Sequence, residues 1–176
     1  MSTYKLTNRS EFRRALAQRR LFNWEPPDKS VSQVRILACS ADVFKQLNDS
    51  WGNADDKNEV LRQSVVATCA AFVGGSTPSR LLFKNIGGRK AIAEMQILAP
   101  NPGVRIVGGF LDEDVFVALA LYLRSEIAWK RGAFSNASRL LEWKQVIELA
   151  SHDWEAYLPD ANRMISLSLS KTTRRQ

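Results

Sequence analysis

"PNPGVRIVGGFLDEDVFVALALYL", residues 100–123, reads as two strands joined by an acidic turn. Its second half, Val115 to Leu123, is apolar almost without a break, as expected of a strand covered on both faces. The first half carries one charge, Arg105, between Val104 and Ile106. Neighbouring side chains on a strand point to opposite faces, so with Val104 and Ile106 packed on helices Arg105 must project to the other side.

Upstream, "AIAEMQIL" (91–98) gives a third strand, and the loop "APNPG" makes the three an antiparallel meander. "VRILACS" (34–40) is a strand candidate rich in branched residues. Two helices are expected next, one over 40–51 capped by Ser40 and one over 55–73 stopped by Gly74-Gly75. "SRLLFKNIGG" (79–88) leads into the meander. A last helix over 137–158 shows an amphipathic stripe of Leu140, Trp143, Ile147, Ala150, Trp154 and Tyr157, and Pro159 ends it. A helix over 10–22, with Ser10 as its N-cap and Phe12, Leu16 and Ala17 on one face, precedes the break at Pro26-Pro27. In the tail, "ISLSLSK" (165–171) alternates as an edge strand would. The expected fold is therefore α+β: a small antiparallel sheet packed on helices in the order β-α-α-β-β-β-α. It divides into an arm (1–31), a domain (32–158) and a basic tail (159–176).

With 45% hydrophobic and 24% charged residues, the chain has the composition of an ordinary globular domain and no run suited to a membrane span. It starts without the apolar stretch of a secretory signal, and Cys39 and Cys69 form no CxxC, so reduced thiols and a cytoplasmic location are expected. The net charge of +7 is unevenly spread. Residues 1–35 hold eight Lys/Arg against three acids and 160–176 hold four against one, while 36–159 hold thirteen against fourteen. Several familiar chemistries have no candidate residues. The one histidine, His152, lies in the last helix, no GxSxG elbow occurs, and no His/Cys/carboxylate grouping has metal-ligand spacing. Neither GxxxxGK[ST] nor GxGxxG is found. What remains is chemistry done by arginine and lysine, or binding alone.

The stretch "LLFKNIGGRKAIAEMQILAPNPGVRIVGGFLDEDVFVALALYLRSE" (81–126) resembles the core of the RelE/ParE superfamily of toxin–antitoxin toxins, above all its HigB-like, phage-borne branch. Ile86-Gly87-Gly88 matches the family's glycine loop, Glu94 the glutamate of "ElR", Arg105 the arginine of "YRv", and Arg124 the start of its basic segment. "QVIELASHDWEAYL" (145–158) is similar to the closing helix. The resemblance implies a toxin that acts as a metal-independent, ribosome-dependent mRNA endoribonuclease, without a cofactor. Arg105, Arg124 and Glu94 would be catalytic, and Lys84, Arg89, Lys90, Lys130 and Arg131 would hold RNA. It also implies a cognate antitoxin, an mRNA or ribosomal partner, no membrane, and a homodimer or a hetero-oligomer with the antitoxin.

The chain departs from the pattern at three positions. Gln96 stands where the family often has arginine, Val104 where it has tyrosine, and Ser125 follows Arg124 where a second lysine is expected. Fewer cations favour an alternative, a RelE/ParE-fold protein that acts by binding, as a gyrase-type inhibitor or as a module whose arm and tail hold a partner or nucleic acid. Arg105 would then serve as a cross-strand partner of Glu94. Phe22, Trp24, Trp51, Trp129 and the stripe of the last helix are candidate partner contacts.

Overall fold

The computed structural model describes residues 3–52, 56–76, 81–86, 92–128 and 141–161. In chain order these form α1 (Thr3–Ala17), β1 (Phe22–Trp24), β2 (Ile36–Cys39), α2 (Ala41–Asn48), α3 (Lys57–Val73), β3 (Leu81–Asn85), β4 (Ala93–Ile97), β5 (Val104–Asp112) and β6 (Val115–Leu123). A 3₁₀ turn (Arg124–Glu126), two short strands, β7 (Ile127–Ala128) and β8 (Leu141–Glu142), and α4 (Trp143–Tyr157) complete them. The fold is α+β, with the expected strand–helix–helix–strands–helix order. The sheet is larger than expected and mixed. Its order is β1-β2-β6-β5-β4-β3, and β2 runs parallel to β6 while the other pairs are antiparallel.

Two strands go beyond the sequence reading. β3 occupies what reads as a lead-in, and β1 continues the N-terminal segment onto the sheet edge. Trp24 is fully buried and Phe22 stacks on Phe44 at 5.2 Å, so both aromatics pack on the domain instead of offering a partner contact. Trp51 also packs against the core, its indole Nε1 donating to the Gln46 carbonyl at 2.7 Å. The proposed tail strand at 165–171 and Trp129 lie outside the described residues.

The sheet is covered on both faces. On the first, Val43, Leu47, Leu61, Val65, Cys69 and Phe72 of α2 and α3 pack on Leu37, Met95, Ile106 and Phe116. On the second, Phe12 and Ala15 of α1 and Val146, Ala150 and Trp154 of α4 pack on Ala38, Val107, Val117 and Leu119. β6 serves both cores, and a bulge adjusts it. Val107 pairs with Ala120 but Gly108 pairs with Ala118, leaving Leu119 extra. Phe116 and Ala118 therefore enter the first core, and after the bulge Leu121 and Leu123 do so. Gly108 sits at the same step. A Cβ there would lie 1.8 Å from the Val117 carbonyl oxygen, so only glycine lets the two backbones approach.

Helix ends follow capping chemistry. Ser40 Oγ accepts from the Val43 N–H and Asp56 Oδ1 from the Asn58 N–H. α1 starts well before Ser10, because "TYKLTN" contains no helix breaker. It closes in a Schellman motif: the Arg19 N–H donates to the Leu16 carbonyl and the Arg20 N–H to the Ala15 carbonyl. Arg19 takes the left-handed position with φ 55°, where glycine is the usual occupant. Arg20 then donates to the Tyr157 carbonyl at 2.7 Å, which ties α1 to the C-terminal end of α4 and complements its dipole. The loop between α2 and α3 is held by Glu59, which accepts from Arg62, Ser50 Oγ and the Trp51 N–H. The Arg62 guanidinium and these donors hold the Glu59 carboxyl at about 2.

Gly108→Ala should lower stability by roughly 3 kcal/mol, read as a shifted urea midpoint at unchanged slope, because strand backbone rather than a flexible side chain blocks the methyl. Glu59 makes its contribution above its unfolded value near 4.3 and loses it as pH falls towards 2, since the folded state binds the proton less readily. Glu59→Gln should therefore flatten the acid limb of the stability–pH curve between those limits, while leaving its alkaline side unchanged.

Candidate functional site

Arg105 and Glu94 meet on the second face of the sheet, as the alternation of β5 requires. Directly across from Arg105 stand Gln96 on β4 and Tyr122 on β6, while Glu94 faces Val107. The pair is therefore diagonal, with Arg105 Nε 3.5 Å from Glu94 Oε2. Gln96 Nε2 donates to the other Glu94 oxygen. Lys84 on β3 pairs in register with Glu94 and its charge favours the carboxylate. The structure thus brings Glu94, Gln96, Arg105 and Lys84 into one network, with Arg124 close enough to act on Arg105 through its charge.

The network is closed to solvent at its centre. Arg105 is 3% exposed and Glu94 fully buried, whereas Lys84 and Arg124 lie at the surface. Burial pushes the Glu94 carboxyl up, outweighing the hydrogen bond from Gln96 and the charges of Arg105 and Lys84. Burial likewise lowers Arg105, with Glu94 opposing and Arg124 adding to the shift. Beside them, burial and the carboxylates of Asp153 and Glu126 raise the Tyr122 phenol. Arg89, Lys90, Lys130 and Arg131, the remaining expected RNA contacts, lie outside the described residues.

This geometry limits the chemistry. A scissile phosphate must come within hydrogen-bond reach of the cation that stabilises it, and Arg105 offers almost no surface in this arrangement. Both cysteines are buried in the first core, and burial pushes Cys69 up to about 12 and Cys39 well above its usual value, so neither supplies a thiolate. His152 is exposed on α4. Among the described residues no group of His, Cys, Asp or Glu side chains gathers as a metal site, and no helix is long and apolar enough to cross a membrane. A separate cleft of about 450 Å³ lies between α1 and the β5–β6 turn, with Arg9 and Arg13 on one wall, Asp112 and Asp114 on the other, and Phe12 and Leu111 among its apolar residues.

The role of Gln96 was not legible in the sequence, where it marks only a departure from "ElR". Its signal is period two: Glu94 and Gln96 share a face, so the amide satisfies the carboxylate that Arg105 approaches diagonally. The chain matches no protein-family model, no curated protein and no solved structure.

Removing one member of this buried pair leaves the other charge uncompensated. Arg105→Met should cost about 3–5 kcal/mol in urea unfolding, and Glu94→Leu combined with Arg105→Met should recover most of it. Additive losses in that double-mutant cycle would show that the two side chains are not coupled.

Proposed function

We propose that the chain is a cytoplasmic, RelE/ParE-like toxin component that arrests growth by binding its target rather than by cutting mRNA, and that a cognate antitoxin neutralises it. The observation that carries the non-catalytic reading is the burial of Arg105 and Glu94 within their own ion pair. A residue locked to a structural partner, with almost no exposed surface, is poorly placed to neutralise a phosphate. The order β2-α2-α3, then β4-β5-β6, then α4 is compatible with the resemblance, with β3, β7 and β8 additional to it. Support for binding also comes from the missing cations at Gln96 and Ser125. An electrostatic site that loses single stabilising donors can lose about 10²–10³ in rate for each.

The test is expression of the full chain with growth, translation and mRNA 5′ ends followed together. Growth should stop with no new 5′ ends in a purified translation system. New ends near the ribosomal A site that vanish in Arg124→Ala, an exposed position whose loss leaves the fold intact, would replace this reading with the endoribonuclease one. Unimpaired growth at high expression would remove the toxin reading altogether.

A further inference from the structure

The excess positive charge of the chain sits in its two ends, and the structure packs the first of them, α1, against the last turn of α4 and the two residues after Pro159. Arg20 donates to carbonyls in the last turn of α4, Arg14 approaches Asp160 at 3.7 Å, and Trp154 Nε1 donates to the Ala161 carbonyl. Ala161 packs against the core that α1 helps to form. From there the sequence continues with four cations and no acid in residues 162–176. The inward side of α1 is Glu11, Phe12 and Ala15. At 100° per residue the opposite side lies between Arg13 and Ala17, with Arg9 and Arg14 flanking it. Arg9 and Arg14 side chains are 60% and 55% exposed, and Arg13 and Arg19 are exposed with no carboxylate partner among the described residues.

Arg19 supplies a second, independent observation. Its left-handed backbone suits glycine and carries a steric cost for any other residue except asparagine or aspartate, which bear it more readily. No hydrogen bond or ion pair of its side chain offsets that cost among the described residues, so folding does not account for an arginine there.

We infer that the outward side of α1 away from the β5–β6 turn, built from Arg13, Arg14 and Arg19, is a binding surface for the phosphodiester backbone of a nucleic acid. This rests on the placement of the arginines and on the backbone of Arg19, and stands whether or not the chain is a toxin. Between Arg9 and Arg19, Ser10 and Ala17 complete the outward side, and that stretch of it carries no aromatic or large aliphatic anchor of a protein interface. The apolar side of α1 is already packed on the sheet, so the helix has nothing to insert into a lipid surface. Phosphate recognition needs only the cations. Asp112 and Asp114 line the far wall of the cleft beside Arg9 and Arg13 and repel phosphate, so the backbone passes over Arg13, Arg14 and Arg19 on the side away from that turn.

The test is fluorescence anisotropy of the full chain with labelled single-stranded RNA, duplex RNA and duplex DNA of one length, at several salt concentrations. Wild type should bind with steep salt dependence, and the three probes distinguish the nucleic acid preferred. The combination of Arg13→Gln and Arg19→Gly should weaken binding at least tenfold and reduce the salt slope by about 1.4 to 1.8, the share of two phosphate contacts. Lys144→Gln, on the exposed side of α4, should change neither. Arg19→Gly alone should raise Tm by roughly 2–4 °C while weakening binding, an opposition that a purely structural role would not produce. No binding by wild type at low salt, or full binding by the double variant, would overturn the inference. Equal competition by polyglutamate would also overturn it, by making the surface a general acceptor of acidic chains.

Discussion

Everything in this molecule hangs on the pairing of β5 with β6 at one glycine. At Gly108 the two backbones come closer than any side chain would allow, and one step away the bulge at Leu119 shifts the alternation of β6. That shift lets one nearly continuous apolar strand supply two cores, with Phe116, Ala118, Leu121 and Leu123 on one face and Val117 and Leu119 on the other. α2 and α3 close the first face and α1 and α4 the second. The remaining strands extend the sheet outward from this pair.

The closure of the second face decides what Arg105 can do. A charge on an open strand can serve recognition, whereas a buried one such as Arg105 must be neutralised in place. Glu94 does this diagonally, with Gln96 holding the carboxylate from the same strand. Such a network specifies the register of β4 against β5, since a slip of one residue would turn Glu94 to the opposite face. The cations exposed at the surface are peripheral ones, Lys84 and Arg124 at the edge of the network and Arg13 and Arg19 of the α1 segment.

Much of this was legible in the residues, and the failures have physical reasons. Strand patterning located β4, β5 and β6, the last by its nearly unbroken apolar run, and alternation along β5 gave the side of the sheet that Arg105 takes. Capping residues located α2 and α3, down to Ser40 and Gly74. β3 was missed because "LLFKN" is short and ends in turn-forming residues, so that only its pairing with β4 reveals it as a strand. β1 was missed because Pro26-Pro27 reads as a break, while Trp24 two residues earlier is buried by partners far along the chain. The burial of Arg105 could not be read at all. Alternation assigns a side of the sheet but says nothing of what covers it.

The parallel pairing of β2 with β6 bears on how the chain is made. Ser40 Oγ donates to the carbonyl of Leu119, 79 residues away, and Ile36 to Cys39, paired on one side with Phe22 to Trp24, find their parallel partner on the other in Val115 to Ala118. A growing chain has therefore released its entire N-terminal third before the strand that organises it exists. Until β6 emerges, the apolar side of α1 lacks Val117 and Leu119, on which it packs in the folded chain. The apolar side of α1 is thus enclosed only when β6 and then α4 have been made, and pairings of such long sequence separation form slowly.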